Sequence, residues 1–148
     1  MKKLTILVVT LLTMVITAQA QEFQKLFDKY SNDERFSYVS LGAEIIKDFG
    51  LNSMLPDFNL KTNQIVNIKG MKVLTLKSEK DGKLMKSAVD EFANAIKNDS
   101  KAKPLVETRE NGDITNIHLI SEGLIIITKN AKELTIVFIA GELKQSTK

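Results

Sequence analysis

Between Pro104 and Gly141 the chain alternates strand-forming runs with turn dipeptides at short, regular intervals, and this pattern restricts the fold more than any other feature. The runs are Leu105 to Glu110, Ile114 to Ser121, Leu124 to Lys129 and Leu134 to Gly141, separated by Asn111-Gly112, Glu122-Gly123 and Asn130-Ala131. Asn-Gly between alternating runs is a strong hairpin signal, because both residues tolerate the positive φ of a type I′ turn. The segment therefore predicts a four-stranded antiparallel meander. Within it, Leu124-Ile125-Ile126-Ile127 and Ile136-Val137-Phe138-Ile139 are apolar on both sides of the pleat. A sheet with one wet face has no need of that. Ile125, Ile127, Val137 and Ile139 are accordingly the candidate apolar interaction face. Its cover would be a terminal helix, the Met54 to Leu60 loop, a second copy or an apolar ligand.

Upstream, the period changes. Phe23, Leu26, Phe27 and Tyr30 recur at helical offsets from Gln21 to about Asp33, which predicts an N-terminal amphipathic helix within residues 21–37. Phe36 to Leu41 reads as a short strand. Gly42 to Phe49 reads as a second helix with Ile45, Ile46 and Phe49 on one face, stopped at Gly50. Asn52 to Asn63 is a loop too apolar to be wholly solvated. Ile65 to Lys77 is a strand interrupted or bent near Gly70. Leu84, Ala88, Phe92, Ala95 and Ile96 then form one stripe of a helix over about Asp81 to Asn98. The fold expected for residues 38–148 is a single α+β domain, with helices packed on one face of a mainly antiparallel sheet.

The N-terminus has a different character. Lys2 and Lys3 precede an apolar run from Leu4 to about Thr17, and Ala18-Gln19-Ala20 follows. These are the three parts of a cleavable export signal, which places the mature start at Gln21. The run is shorter than the ~20 residues of a bilayer-spanning helix. With no cysteine for lipid attachment, the expectation is a periplasmic or secreted protein without a stable membrane anchor. Cleavage lowers Lys+Arg from 21 to 19 against 18 acids, leaving a net charge of +1. Near neutrality and only two arginines, Arg35 and Arg109, give no electrostatic case for nucleic acid. Lys69, Lys72, Lys77, Lys80, Lys83 and Lys86 read as a solvated face. The absence of cysteine also removes disulfides and thiol chemistry, so the fold must rest on apolar packing.

Candidate chemistry is sparse. His118 is the sole histidine, placed mid-strand with Asn116 and Ile120 on its side of the pleat. An imidazole can serve as a base or ligand, yet no nucleophile turn and no metal-ligand spacing accompanies it. Asp57, Asp81, Glu107, Glu110 and Asp113 could hold calcium only weakly. The cluster Glu107, Arg109, Glu110 and Asp113 surrounds a hairpin turn and reads as a solvated rim. Asp90 and Glu91 are adjacent on a helix and point in different directions, which makes them a poor acid/base pair. The isolated glycines form no phosphate cradle. No cofactor is implied.

Three segments taken in order, Tyr38-Val39-Ser40, Ile68-Lys69-Gly70-Met71-Lys72-Val73-Leu74 and the closing Lys132 to Leu143, resemble a family of small exported proteins of Gram-negative bacteria, domain-of-unknown-function family 4252. The resemblance spans about three-quarters of the chain and implies an exported α+β domain without an assigned catalytic residue. It further implies an association with envelope stress. The lipid-attachment cysteine of some members is missing here, so their anchoring does not carry over. The leading expectation is a non-catalytic binding or interaction module of the cell envelope, with an envelope protein or apolar ligand as partner. The alternatives are a secreted hydrolase or isomerase using His118, and a structural homo-oligomer (a homodimer included) joined through its sheet.

Overall fold

The computed structural model describes residues 22–56, 65–77 and 82–143. The expected signal and most of the 52–63 loop lie outside them. Six strands form one antiparallel sheet: β1 (Ser37–Gly42), β2 (Ile65–Lys77), β3 (Lys103–Glu110), β4 (Asp113–Ile120), β5 (Gly123–Lys129) and β6 (Glu133–Leu143). Their order is β1-β2-β6-β5-β4-β3, so the last four strands are the meander that the turn spacing predicts. Four helices complete the α+β fold: α1 (residues 22–31), α2 (Ala43–Phe49), α3 (Leu51–Met54) and α4 (Gly82–Asn98).

The helices do not share one face of the sheet, and here the expectation is corrected. On one face α1 and α4 bury Phe23, Phe27, Tyr30, Met85, Ala88, Phe92 and Ala95 against Leu74, Leu76, Ile125, Ile127, Leu134 and Ile136. On the other, Ile46 of α2 and Leu51 of α3 pack with Met71, Ile117, Leu124, Ile126, Val137 and Ile139. Two chain crossings explain the split. The α2–α3 link joins neighbouring strands β1 and β2 and lies over one side. The connection from β2 to β3 must pass four strand spacings, about 19 Å, and the 17 residues of α4 supply about 25 Å of helix over the opposite side.

Full burial of a large apolar side chain contributes roughly 1.5–3 kcal/mol, so Phe23, Phe27 and Tyr30 hold α1 firmly in the core. Phe27 meets Phe92 edge-on at 5.2 Å, and Tyr30 lies 4.9 Å from Phe36 and 6.0 Å from Phe92. The Tyr30 hydroxyl donates to Glu91 Oε2 at 2.8 Å, while Lys29 Nζ donates to Glu91 Oε1 at 2.7 Å. Burial raises the Tyr30 phenol well above its usual range, and the Glu91 carboxylate adds to that. Burial also works to raise Glu91, but its bonds from Lys29 and Tyr30 prevail and hold it below the ordinary carboxylate range.

Two irregularities shape the sheet. The expected bend in the second strand is a register shift between Val66 and Gly70, where Asn67 takes φ +50° and its side-chain Nδ2 donates to Glu142 Oε2 at 2.9 Å. A second shift lies in β3 between Pro104 and Val106, leaving Leu105 as the extra residue.

Candidate functional site

Ile125, Ile127, Val137 and Ile139 do not form one interaction face. Ile125 and Ile127 look toward α1 and α4, whereas Val137 and Ile139 look toward α2 and α3. All four are at most 1 % exposed. Their adjacency in the ladder is real, with Ile127 opposite Ile136 and Leu124 opposite Ile139, but consecutive strand residues alternate sides and each pair serves a different core.

His118 is also buried, at 8 % exposure, on the α1–α4 face opposite Ile125. Its Nε2 lies 3.0 Å from Glu107 Oε1, and its Nδ1 is enclosed without a hydrogen-bond partner. The β3 bulge makes this contact: Pro104 pairs with His118, and the extra Leu105 shifts Glu107 opposite Asn116, onto the face that His118 occupies. The adjoining cleft is lined by Glu107, Thr108, Arg109, Ile114 and Asn116, without His118. An imidazole with one nitrogen engaged and the other enclosed presents no free nitrogen to a substrate. Among the described residues no group of three or more His, Asp or Glu side chains could hold a metal ion. Of the carboxylates considered for calcium, Asp57 and Asp81 lie outside those residues.

A cleft of about 650 Å³ lies at one end of the α1–α4 face. Its floor is Phe138 and Ala140 of β6; Lys69 and Lys72 come from β2, Lys101 from the segment after α4, Ser121 and Glu122 from the β4–β5 turn, and Gln24 from α1. A smaller hollow of about 250 Å³ shares Lys69, Lys72, Phe138 and Ala140 and continues toward β1 across Gly70 and Gly42. Gly42, Gly70 and Ala140 stand side by side in the ladder, and a Cβ at Gly42 would meet nothing within 4 Å. The floor is low there because three neighbouring strands carry almost no side chain.

One buried carboxylate fixes the rim. Asp99, 7 % exposed, accepts from the Ser121 amide at 2.9 Å, the Ser121 hydroxyl at 2.6 Å and the Lys101 amide at 2.9 Å. The Gly141 amide donates to the Glu122 carbonyl at 2.9 Å and ties the same turn to β6. Lys72 Nζ donates to Gln24 Oε1 at 3.1 Å, linking β2 to α1 across the cleft. Burial raises the Glu122 carboxyl above its ordinary range, the neighbouring Asp99 charge adds to this, and Lys69 and Lys72 oppose it. Lys69, Lys72 and Lys101 thus stand with Glu122 and Glu142 around an apolar floor, beside the buried Asp99.

Sequence reading misses this site for a physical reason. Lys69 and Lys72 look like members of a dispersed solvated set, and Lys101 belongs to a different element; only the crossing of α4 brings it beside them. The paired signals were the Gly70 bend flanked by lysines and the Glu122-Gly123 turn.

Among the described residues, no helix is long and apolar enough to cross a membrane. No curated protein and no solved structure matches the chain. A family model does match, over residues 30–147, which takes in every strand of the sheet together with the cleft's lysines and its apolar floor. The chain belongs to the family described as domain of unknown function DUF4252.

Proposed function

We propose that this protein is a non-catalytic, exported binding module of the bacterial cell envelope, and that its ligand is an anion with an apolar portion seated in the Lys69, Lys72 and Lys101 cleft. The observation that carries the reading is the pairing of three ammonium groups with a Phe138–Ala140 floor in an open cleft of about 650 Å³. Lysine supplies a point charge for a carboxylate or phosphate, and a concave site with an apolar floor and few polar groups is the usual form of a small-molecule site. The enclosed imidazole of His118 lends no comparable support to a hydrolase or isomerase. The export signal supports the envelope setting, and the association implied by the family resemblance supports a role in envelope stress.

Native mass spectrometry of the mature chain from Gln21, purified from its own host without denaturation, tests the reading. The expected result is an added mass that is released on unfolding and is lost when Lys72 and Lys101 are both replaced by alanine. Bare protein, or an adduct indifferent to both lysines, overturns it.

A further inference from the structure

The two edges of the sheet are built differently. β3 carries Lys103, Pro104, Glu107, Arg109 and Glu110 together with a bulge at Leu105. Charge, proline and bulges are the devices that keep an edge strand from pairing with another chain. β1 has none of them: Ser37–Gly42 contains no charged residue and no proline, pairs with β2 without a register shift, and is exposed at every residue except Leu41. Apolar surface collects at the same edge. Among the described residues, Tyr38 (39 %), Val39 (49 %), Ile45 (46 %) and Phe49 (65 %) are exposed on β1 and on α2 directly after it, and Leu105 and Val106 on β3. Val39 stands opposite Val73, on the face that α2 covers.

We propose that β1 is a dimerisation edge, through which two copies of this chain pair antiparallel about a two-fold axis and join their sheets. Three observations select a second copy over a foreign strand. Among the described residues β1 is the edge without charge, proline or bulge, whereas β3, though equally exposed, carries all three, so pairing through β1 closes at two copies and does not propagate into a filament. The strand is uncharged, so it meets itself without like-charge repulsion and offers a foreign strand no charge to recognise. The register is self-complementary: residues opposite each other must share a face, and a two-fold centred on Val39 sets Val39 against its own copy, Tyr38 against Ser40 and Ser37 against Leu41. The same axis brings the exposed Ile45 and Phe49 of α2 toward their copies, covering the side chains that the monomer leaves wet.

Sedimentation equilibrium of the mature chain, combined with directed cross-linking, tests the proposal. The chain has no cysteine, so Val39→Cys introduces a single thiol. The expected results are a concentration-dependent dimer, a disulfide-linked dimer from Val39→Cys under mild oxidation, and much less from Tyr38→Cys, which faces Ser40. Val39→Lys, at a half-exposed position where the monomer's fold is undisturbed by circular dichroism, loses the dimer. Phe49→Asp provides a second route to the same loss. A monomer at every attainable concentration overturns the proposal. So does a dimer that survives Val39→Lys, or a stoichiometric foreign chain that Val39→Lys releases.

Discussion

Replacing Gly123 by alanine isolates how closely β5 approaches β6. Gly123 opens β5 opposite Ala140 at φ +154°, and a Cβ there would stand 1.9 Å from the Ile139 carbonyl oxygen, 3.0 Å from its carbon and 3.2 Å from Ala140 Cα. All three are backbone atoms of β6, so no rotamer change relieves them. Ordinary contact begins at 3.4 Å, and the strands must part until 1.9 Å becomes at least that. Such a separation breaks the ladder at the Gly123–Ala140 pair and the bond from the Gly141 amide to Glu122, at about 1 kcal/mol for each hydrogen bond. Backbone strain adds about 1–3 kcal/mol, so the total is about 4 kcal/mol against a whole-domain stability of about 5–15 kcal/mol. Gly112→Ala is the control: φ is +87° but nothing lies within 4 Å, which leaves only a conformational cost of about 1 kcal/mol. In urea, with a slope of about 1–3 kcal/mol/M, Gly123→Ala lowers the unfolding midpoint by about 2 M and Gly112→Ala by a small part of that. Equal shifts for the two variants would refute the close-approach argument.

Asp99→Ala strips one acceptor from three donors behind the rim of the cleft and is expected to destabilise the fold by about 3 kcal/mol, with Asp99→Asn less damaging; thermal melts of the two variants check the order. His118→Leu removes an enclosed nitrogen without a partner and is expected to be neutral or stabilising by about 1 kcal/mol, with adduct binding unchanged; a loss of binding at unchanged stability contradicts the assignment. Glu122 is raised chiefly by burial, so the folded state holds its proton more tightly than the unfolded chain and stability falls as pH rises through the folded pKa. Glu122→Gln is therefore expected to stabilise the protein at neutral pH and to match the wild type in acid well below pH 4.5, as urea midpoints at the two pH values will show. Asp33 runs the other way: bonds from the Arg35 side chain and amide lower its pKa to about 2, so its contribution is present above the ordinary carboxylate range and fades as pH falls toward 2.

The elements were legible where a local rule sets them. The Asn111-Gly112 turn, the spacing of turns between β3 and β6 and the Leu84 to Ile96 stripe of α4 are short-range patterns, and each appears in the structure as read. The two-sided apolarity of β5 and β6 correctly announces two cores. Which helix covers which face was not legible, because the stripes of α2 and α4 say only that each has an apolar side; the choice comes from where β2 sits in the sheet. The His118–Glu107 contact was hidden for a similar reason. In an unbroken register Glu107 would fall on the opposite face, and one bulged residue reverses that parity. The lysine cleft depends on three elements distant in sequence, with no spacing to betray it.

The position of β6 has a consequence for timing. The last of the described strands lies in the middle of the sheet, between β2 and β5. Until Glu133–Leu143 is free to insert, β1–β2 and β3–β5 are two separate ribbons, each with one side of its ladder unmatched and neither core closed. A chain emerging N-terminus first, from a ribosome or through a narrow pore, therefore cannot complete this fold early, because its final strand is the joint on which both halves depend.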